Sequence, residues 1–307
     1  MTKIPVLLFT VCMCLNVHSQ VPTQNKQLVL KSGLEKYEKG DFQGAITQFD
    51  NALKLDPTFY EAYFNRGKAK QDLGDQKGAM EDFTKTIELQ PDFAAAYTER
   101  GKVEVELTLN DQAMKDFDKA IALNPKSSNA YFQRGFLKNV LGDSRDALMD
   151  YNKSIEFDAD DAYTYYNRGL VRVSLGLNAL ASRDMDQAIR LKGDFFEAYN
   201  NRGLIKVKLF DFEEAVSDYT QALAFQPQNS VIYMNRAIAY NEFENYSEAI
   251  KDITTAIQLS PQESKLYYIR ALFYINNGNA DEACSDLHKA DDLGFEEANA
   301  LIISHCK

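Results

Sequence analysis

The stretch Tyr63-Phe64-Asn65-Arg66-Gly67 decides the reading of this chain, because it does not occur once. It returns as YTERG at Tyr97, YFQRG at Tyr131, YYNRG at Tyr165 and YNNRG at Tyr199, with looser copies YMNRA at Tyr233 and YYIRA at Tyr267. Each start lies 34 residues after the last. A fixed period of this length marks stacked supersecondary units, not one large core.

With the Tyr of the motif at position 4 of a 34-residue unit, eight units fit: 26–59, 60–93, 94–127, 128–161, 162–195, 196–229, 230–263 and 264–294. Position 8 is small in every unit, from Gly33 to Ala271. Position 20 is always alanine, from Ala45 to Ala283. Position 24 is large and apolar, from Phe49 to Leu287. Small residues at 8 and 20 allow two helix backbones to approach closely, and the large residue at 24 fills the space beside them. Turn signals at positions 15–16, as in Gly40-Asp41, Gly74-Asp75 and Gly142-Asp143, suit a left-handed helix end followed by an aspartate N-cap. Proline at position 32 (Pro57, Pro91, Pro125, Pro227, Pro261) ends the second helix. Each unit therefore reads as a helix A and a helix B.

On these residues the chain resembles the tetratricopeptide repeat family, over roughly Lys26 to Glu296. The resemblance implies an all-α fold, a right-handed α-solenoid of antiparallel helix pairs whose inner face is lined by the A helices. Tyr at position 4 departs from the family's Trp. Ala159, Gly193 and Phe295 replace the proline, and Phe210 and Glu244 replace the turn glycine. The segment 295–307 places Ala298, Leu301 and Ile302 on one helical face and reads as a capping helix.

Position 7 is Arg66, Arg100, Arg134, Arg168, Arg202, Arg236 and Arg270. Position 23 in the same seven repeats is Asp82, Asp116, Asp150, Asp184, Asp218, Asp252 and Asp286. The first repeat lacks both charges, with Ser32 and Gln48. Charges that appear and vanish together point to structural salt bridges from helix A to helix B within one repeat, rather than to a ladder of ligand-binding arginines.

In the family the inner groove is lined mainly by positions 2, 5, 6, 9, 12 and 13. In repeats 2 and 3 these positions are polar and mixed, as in Glu61, Lys68, Asp72, Lys102 and Glu106. In repeats 4 to 8 they turn apolar and aromatic: Phe132, Phe136, Val140, Tyr163, Tyr166, Leu170, Val173, Leu204, Val207, Met234, Ile238, Tyr268, Leu272 and Ile275. Groups of this kind anchor a peptide or an amphipathic helix, unless they pack against the adjacent repeat. Position 6 holds Asn65, Asn167, Asn201 and Asn235. These amides suit an extended peptide backbone, and equally suit contacts within their own helices. No repeat combines Lys at 5 with Asn at 9, the pair of the family's carboxylate clamp, so binding of a chaperone tail is not expected.

The formal net charge of −11 argues against nucleic-acid and anionic-lipid partners. Residues 1–19 (Lys3, then an apolar run from Ile4 to Val17, then Ser19) read as a signal peptide with cleavage expected before Gln20, leaving 20–25 as a short leading segment. The run is too short to span a bilayer, and no other segment is apolar enough to do so. The expectation is an exported protein of bacterial type, periplasmic or extracellular. The sequons at Asn152 and Asn245 would matter only on a eukaryotic secretory route.

After residue 19 the only cysteines are Cys284 and Cys306, and the only histidines His288 and His305. A disulfide, a zinc site and free thiols are all open readings. An oxidising compartment favours the disulfide, and adjacent His305 and Cys306 point apart on a helix, which disfavours zinc. No histidine sits among catalytic partners and no phosphate-cradling loop is present, so no catalytic residue, metal or cofactor is expected. The expected function is a non-catalytic scaffold that binds a peptide or helix of another protein. An envelope assembly factor holding cell-wall or lipid material in the same groove is the alternative.

Overall fold

The structure, a computed structural model, describes residues 21–306; the expected signal peptide lies outside the described residues. These residues form seventeen α-helices and no strand. The first six are α1 (Val21–Glu38), α2 (Phe42–Leu55), α3 (Tyr60–Asp72), α4 (Gln76–Leu89), α5 (Ala94–Glu106) and α6 (Asn110–Leu123). The next six are α7 (Ser128–Val140), α8 (Ser144–Phe157), α9 (Ala162–Ser174), α10 (Asn178–Leu191), α11 (Phe196–Lys208) and α12 (Phe212–Phe225). The last five are α13 (Ser230–Glu242), α14 (Tyr246–Leu259), α15 (Ser264–Asn276), α16 (Ala280–Asp292) and α17 (Ala298–His305). Odd helices from α1 to α15 are the A helices and even ones the B helices. Helix α1 starts at Val21, so the segment 20–25 is largely part of the first helix rather than a separate lead-in.

The chain divides into two compact units, the first ending at Leu123 with α6 and the second beginning at Asn124, near the end of the third repeat. In the first, α1/α2, α3/α4 and α5/α6 form hairpins, with α2 packed on α3 and α4 on α5. In the second, five hairpins from α7/α8 to α15/α16 stack in the same way, and α17 covers α16 at the end.

The packing inside each hairpin explains the invariant small residues. A Cβ built on Gly67 would lie 2.8 Å from the Phe83 ring, and one on Gly203 would lie 2.7 Å from Tyr219. Glycine stands at position 8 opposite aromatic rings or Met185. Where position 24 shrinks to the aliphatic Ile253 and Leu287, position 8 becomes Ala237 and Ala271. Volume at one position thus sets the residue at the other.

The A-to-B turn requires a left-handed residue at position 15. Glycine supplies it in five repeats, with φ between 75° and 93° at Gly40, Gly74, Gly142, Gly176 and Gly278. Three repeats hold the same conformation without glycine: Thr108 (φ 62°), Phe210 (φ 64°) and Glu244 (φ 62°). Each carries a steric cost of roughly 1–2 kcal/mol. The aspartate caps are uneven. Asp41 and Asp75 accept from the backbone N–H of Gly44 and Gly78, whereas Asp143 makes no side-chain cap bond, contrary to the turn reading.

Candidate functional site: the A-helix face

The recurrent arginine is a junction. In all seven repeats its Nε donates to one oxygen of the position-23 aspartate and its Nη2 to the other, at 2.6–3.1 Å and 2.5–2.9 Å. The guanidinium also lies 5.3–5.8 Å from the ring of its own motif tyrosine, from Arg66 over Tyr63 to Arg270 over Tyr267. The motif YxxRG is therefore a single packed unit: ring under guanidinium, guanidinium clamped to helix B, glycine against the large residue of helix B. The aspartates are buried.

The arginines also do something the sequence reading left out. Nη1 reaches back to position 25 of the preceding repeat: Asp50 from Arg66, Thr84 from Arg100, Asn152 from Arg168, Asp186 from Arg202, Thr220 from Arg236 and Thr254 from Arg270. A pairing confined to one repeat is thus incomplete as a description, since each of these arginines also ties its repeat to the one before. The signal was available, because this column is polar throughout. Four of the aspartates take a second cation from position 11: Lys70 on Asp82 (2.8 Å), Lys138 on Asp150 (2.8 Å), Arg172 on Asp184 (2.7 Å) and Lys206 on Asp218 (2.9 Å).

Repeat 3 breaks that rule. Its position 11 is Glu104, 5% exposed, facing Asp116 where its neighbours present an ammonium or guanidinium. One carboxylate oxygen lies 3.9 Å from Arg100 Nε and the other has no hydrogen-bond partner. Burial, and then the like charge of Asp116, push the Glu104 carboxyl up to about 7.

The groove candidates divide by exposure. Phe136 (39%), Val140 (60%), Tyr163 (50%) and Leu204 (37%) are open on the A helices of the second unit, joined by Val231 (54%). The others are half-buried and contribute to packing. Phe132 lies against Tyr151, Tyr166 against Phe195 and Tyr268 against Phe295, with ring centroids 5.8, 4.8 and 4.7 Å apart. Leu170, Met234 and Ile238 flank the buried clusters of their own repeats, and Leu272 is half-buried on α15.

The position-6 amides are largely committed to the protein. Asn65, Asn167 and Asn201 donate to the carbonyls of Glu61, Tyr163 and Glu197, four residues back in their own helices. Asn235 donates to Asn200 Oδ1 and is buried. An amide ladder with all its donors open to a peptide is therefore not what the structure presents. Two further columns bond across repeats at a spacing of 35. Position 5 meets position 6 in Tyr166/Asn201 and Asn200/Asn235, and position 12 meets position 13 in Tyr37/Asp72, Gln71/Glu106 and Asn241/Asn276.

Where the start of one A helix meets the next repeat, a slot opens. Between repeats 1 and 2 it is filled by Lys26, whose Nζ lies 2.5 Å from Asp56 and 4.6 Å from the centroid of the Phe59 ring. Between repeats 5 and 6 it is filled by Lys192, which donates to Tyr163 Oη (2.7 Å) and lies 4.8 Å from both the Tyr163 and Phe195 rings. Between repeats 4 and 5 it is a cavity of about 370 Å³ lined by Ser128, Asn129, Phe132, Gln133, Ser154, Asp158, Asp161 and Tyr163. Smaller cavities of about 250 and 230 Å³ occupy the seams between repeats 6 and 7 and between repeats 7 and 8.

The structure joins Cys284 and Cys306 in a disulfide with a Cα–Cα distance of 5.5 Å, tying α17 to α16. His288 and His305 are exposed, and His305 Nδ1 hydrogen-bonds Ser304.

Models of the tetratricopeptide repeat match residues 33–74, 60–93, 94–127, 117–149, 196–229, 231–263 and 264–293, which is well over half of the chain. The chain belongs to the tetratricopeptide repeat family. Among solved structures, YrrB, described as a TPR protein with an unusual peptide-binding site, is 23% identical with a TM-score of 0.56, over 61% of this chain and 96% of YrrB. A tetratricopeptide repeat protein from Parabacteroides merdae is 20% identical with a TM-score of 0.56, over 81% of this chain and 99% of that one. A chain of the APC/C hetero-tetramer Cut9-Hcn1 is 17% identical with a TM-score of 0.59, over 87% of this chain and 53% of that one. At these identities the likeness is one of fold. No curated protein matches the sequence. A tetratricopeptide fold is in general a non-catalytic scaffold for protein–protein interaction, and no helix among the described residues is long and apolar enough to cross a membrane.

Proposed function

We propose that this tetratricopeptide chain holds a peptide or helix of another protein on the A-helix face of repeats 4 to 8, and that it works outside the cytoplasm, in the cell envelope. The observation that carries the binding reading is the open apolar stretch of Phe136, Val140, Tyr163, Leu204 and Val231 on successive A helices. Exposed apolar side chains grouped on one face favour a partner that removes them from water, at about 25 cal/mol per Å² buried. The first three repeats offer mixed charges on the same positions. Export is supported by the apolar run after Lys3 and by the pairing of the only two cysteines beyond residue 19.

The test compares the unaltered chain with a Phe136→Glu, Val140→Glu variant in capture from envelope extract, with folding checked by circular dichroism. The expected result is a protein retained by the first and lost by the second. Equal capture by both places binding elsewhere, and capture of glycan or lipid with no protein supports the assembly-factor alternative. Localisation is read separately, by fractionating cells that make the full chain and alkylating free thiols before lysis. A cytoplasmic pool with both thiols free refutes export.

A further inference from the structure

We infer that the seam slot between repeats 4 and 5 receives a lysine side chain of the bound polypeptide. The inference rests on the A-helix face being the binding face, and it names the side chain recognised there.

The argument comes from the slots this protein fills with its own lysines. In the first seam the position-1 residue Lys26 sets its ammonium on Asp56 at position 31 and over an aromatic ring. In the seam between repeats 5 and 6, Lys192 lies over two rings. An ammonium over an aromatic face thus fills both slots, joined in the first by a carboxylate and in the second by a tyrosine hydroxyl. In the seam between repeats 4 and 5 a carboxylate again stands at position 31, but position 34 is Asp161 where Phe59 and Phe195 stand, and the rings come from other positions, Tyr163 among them with its hydroxyl accepting from Lys192. Asp158 holds the place of Asp56, Asp161 adds a second carboxylate, and Phe132 and Tyr163 supply rings. Position 1 is Ser128, too short to reach across, and a cavity of about 370 Å³ remains. Asp158 is exposed and Asp161 half-buried, and neither has an ion-pair partner among the described residues. Asp158 accepts only from the Asp160 backbone, and Asp161 caps α9 through Tyr163 N–H, Thr164 N–H and the Thr164 hydroxyl. The slot also adjoins the binding face, since Phe136 lies one turn along α7 from Phe132. A segment lying on Phe136 therefore has the slot within reach of a neighbouring side chain. The net charge of −11 favours the same sign of partner.

The probe is Nα-acetyl-lysine N-methylamide, with the norleucine analogue as the uncharged control, titrated against the isotope-labelled chain and followed by backbone amide shifts. The expected result is saturable shifts in residues 158–164 with the lysine probe and none with norleucine. Asp158→Asn should weaken binding at least tenfold, and Ser128→Lys should abolish it by filling the slot as Lys26 fills the first. Ser128→Lys should also raise the midpoint of thermal unfolding, a gain that Asp158→Asn removes in the double variant. No saturable shift up to 100 mM, or equal shifts with norleucine, overturns the inference. So does a Ser128→Lys chain that still binds the probe. Failure here leaves the groove reading to its own test, because capture that depends on Phe136 and Val140 does not require the slot.

Discussion

Glu104 gives the sharpest test of the junction. In repeats 2, 4, 5 and 6 a cation at position 11 sits 2.7–2.9 Å from the aspartate that clamps the arginine. In repeat 3 that place is taken by a carboxylate that interacts with Arg100 on α5 and Asp116 on α6, in a surface pocket lined also by Gln112 and Lys115 on α6 and Thr84 and Met80 on α4. Its pKa rises from 4.5 to about 7 because burial and Asp116 both disfavour the charged form. The sign follows directly. The folded state holds this proton more tightly than the unfolded state does, so its contribution is fully present below pH 4.5. It is lost as pH rises through 7. A rise of this size corresponds to about 3 kcal/mol at pH 8. Glu104→Gln should recover most of that at pH 8 and little at pH 4.5. Glu104→Lys should recover at least as much, by rebuilding the contact that Lys70, Lys138 and Lys206 make. A solenoid opens locally, so the assay is hydrogen exchange of the α5 and α6 amides at pH 5, 6.5 and 8, beside urea unfolding at the same pH values. Other carboxylates also titrate, so the measured quantity is the difference between the chain and Glu104→Gln. If that difference does not change between pH 5 and 8, the electrostatic account of Glu104 is refuted.

The arginine clamp predicts an asymmetry at Arg202, which binds buried Asp218 and exposed Asp186. Asp218→Asn should cost about 3–5 kcal/mol by stranding a half-buried guanidinium, and Asp186→Asn about 0–1, both read by urea unfolding. Tyr151 and Tyr219 bury hydroxyls without a hydrogen-bond partner where other repeats place Phe49, Phe83 and Phe117. Tyr151→Phe should leave stability unchanged or raise it by up to about 1 kcal/mol, and a loss would show an unseen partner for the hydroxyl. Phe210 is left-handed and 79% exposed, so Phe210→Gly should stabilise the α11–α12 turn by about 1 kcal/mol in exchange of its amides. Reducing Cys284–Cys306, which closes a separation of 22 residues, should lower the stability of the α16–α17 end by about 3 kcal/mol, seen as faster exchange there.

Much of the fold was readable because the code is written in size and repetition. A small residue at 8, an alanine at 20 and a ring or branched chain at 24 admit one arrangement of two helices. Repetition over eight units makes the period unmistakable. The turn was harder to read. Left-handed geometry at Thr108, Phe210 and Glu244 cannot be seen in residues that ordinarily avoid it. These three turns copy their neighbours because the flanking helices hold them there, at a steric cost that packing in the same repeats offsets.

The binding face was less legible for a related reason. Periodicity says which column a side chain stands in, and each column here serves two ends. Phe132, Tyr166 and Tyr268 occupy groove columns, yet their rings close against Tyr151, Phe195 and Phe295 and so belong half to the stack. Phe136 and Val140 occupy the same kind of column with no ring across from them, and they stay in water. What separates the two groups is the residue at the far end of the contact, drawn from position 24, 32 or 34, which a column-by-column reading never pairs with position 5. The seam lysines follow the same logic. Lys26 stands at position 1 and Lys192 at position 31, different columns that deliver an ammonium to equivalent places. Sequence shows neither as a repeat feature, and only the common slot makes the empty one between repeats 4 and 5 stand out. The parts of a solenoid that bind are those where the repeat pattern leaves a contact unmade, and that is visible only after the made contacts have been traced.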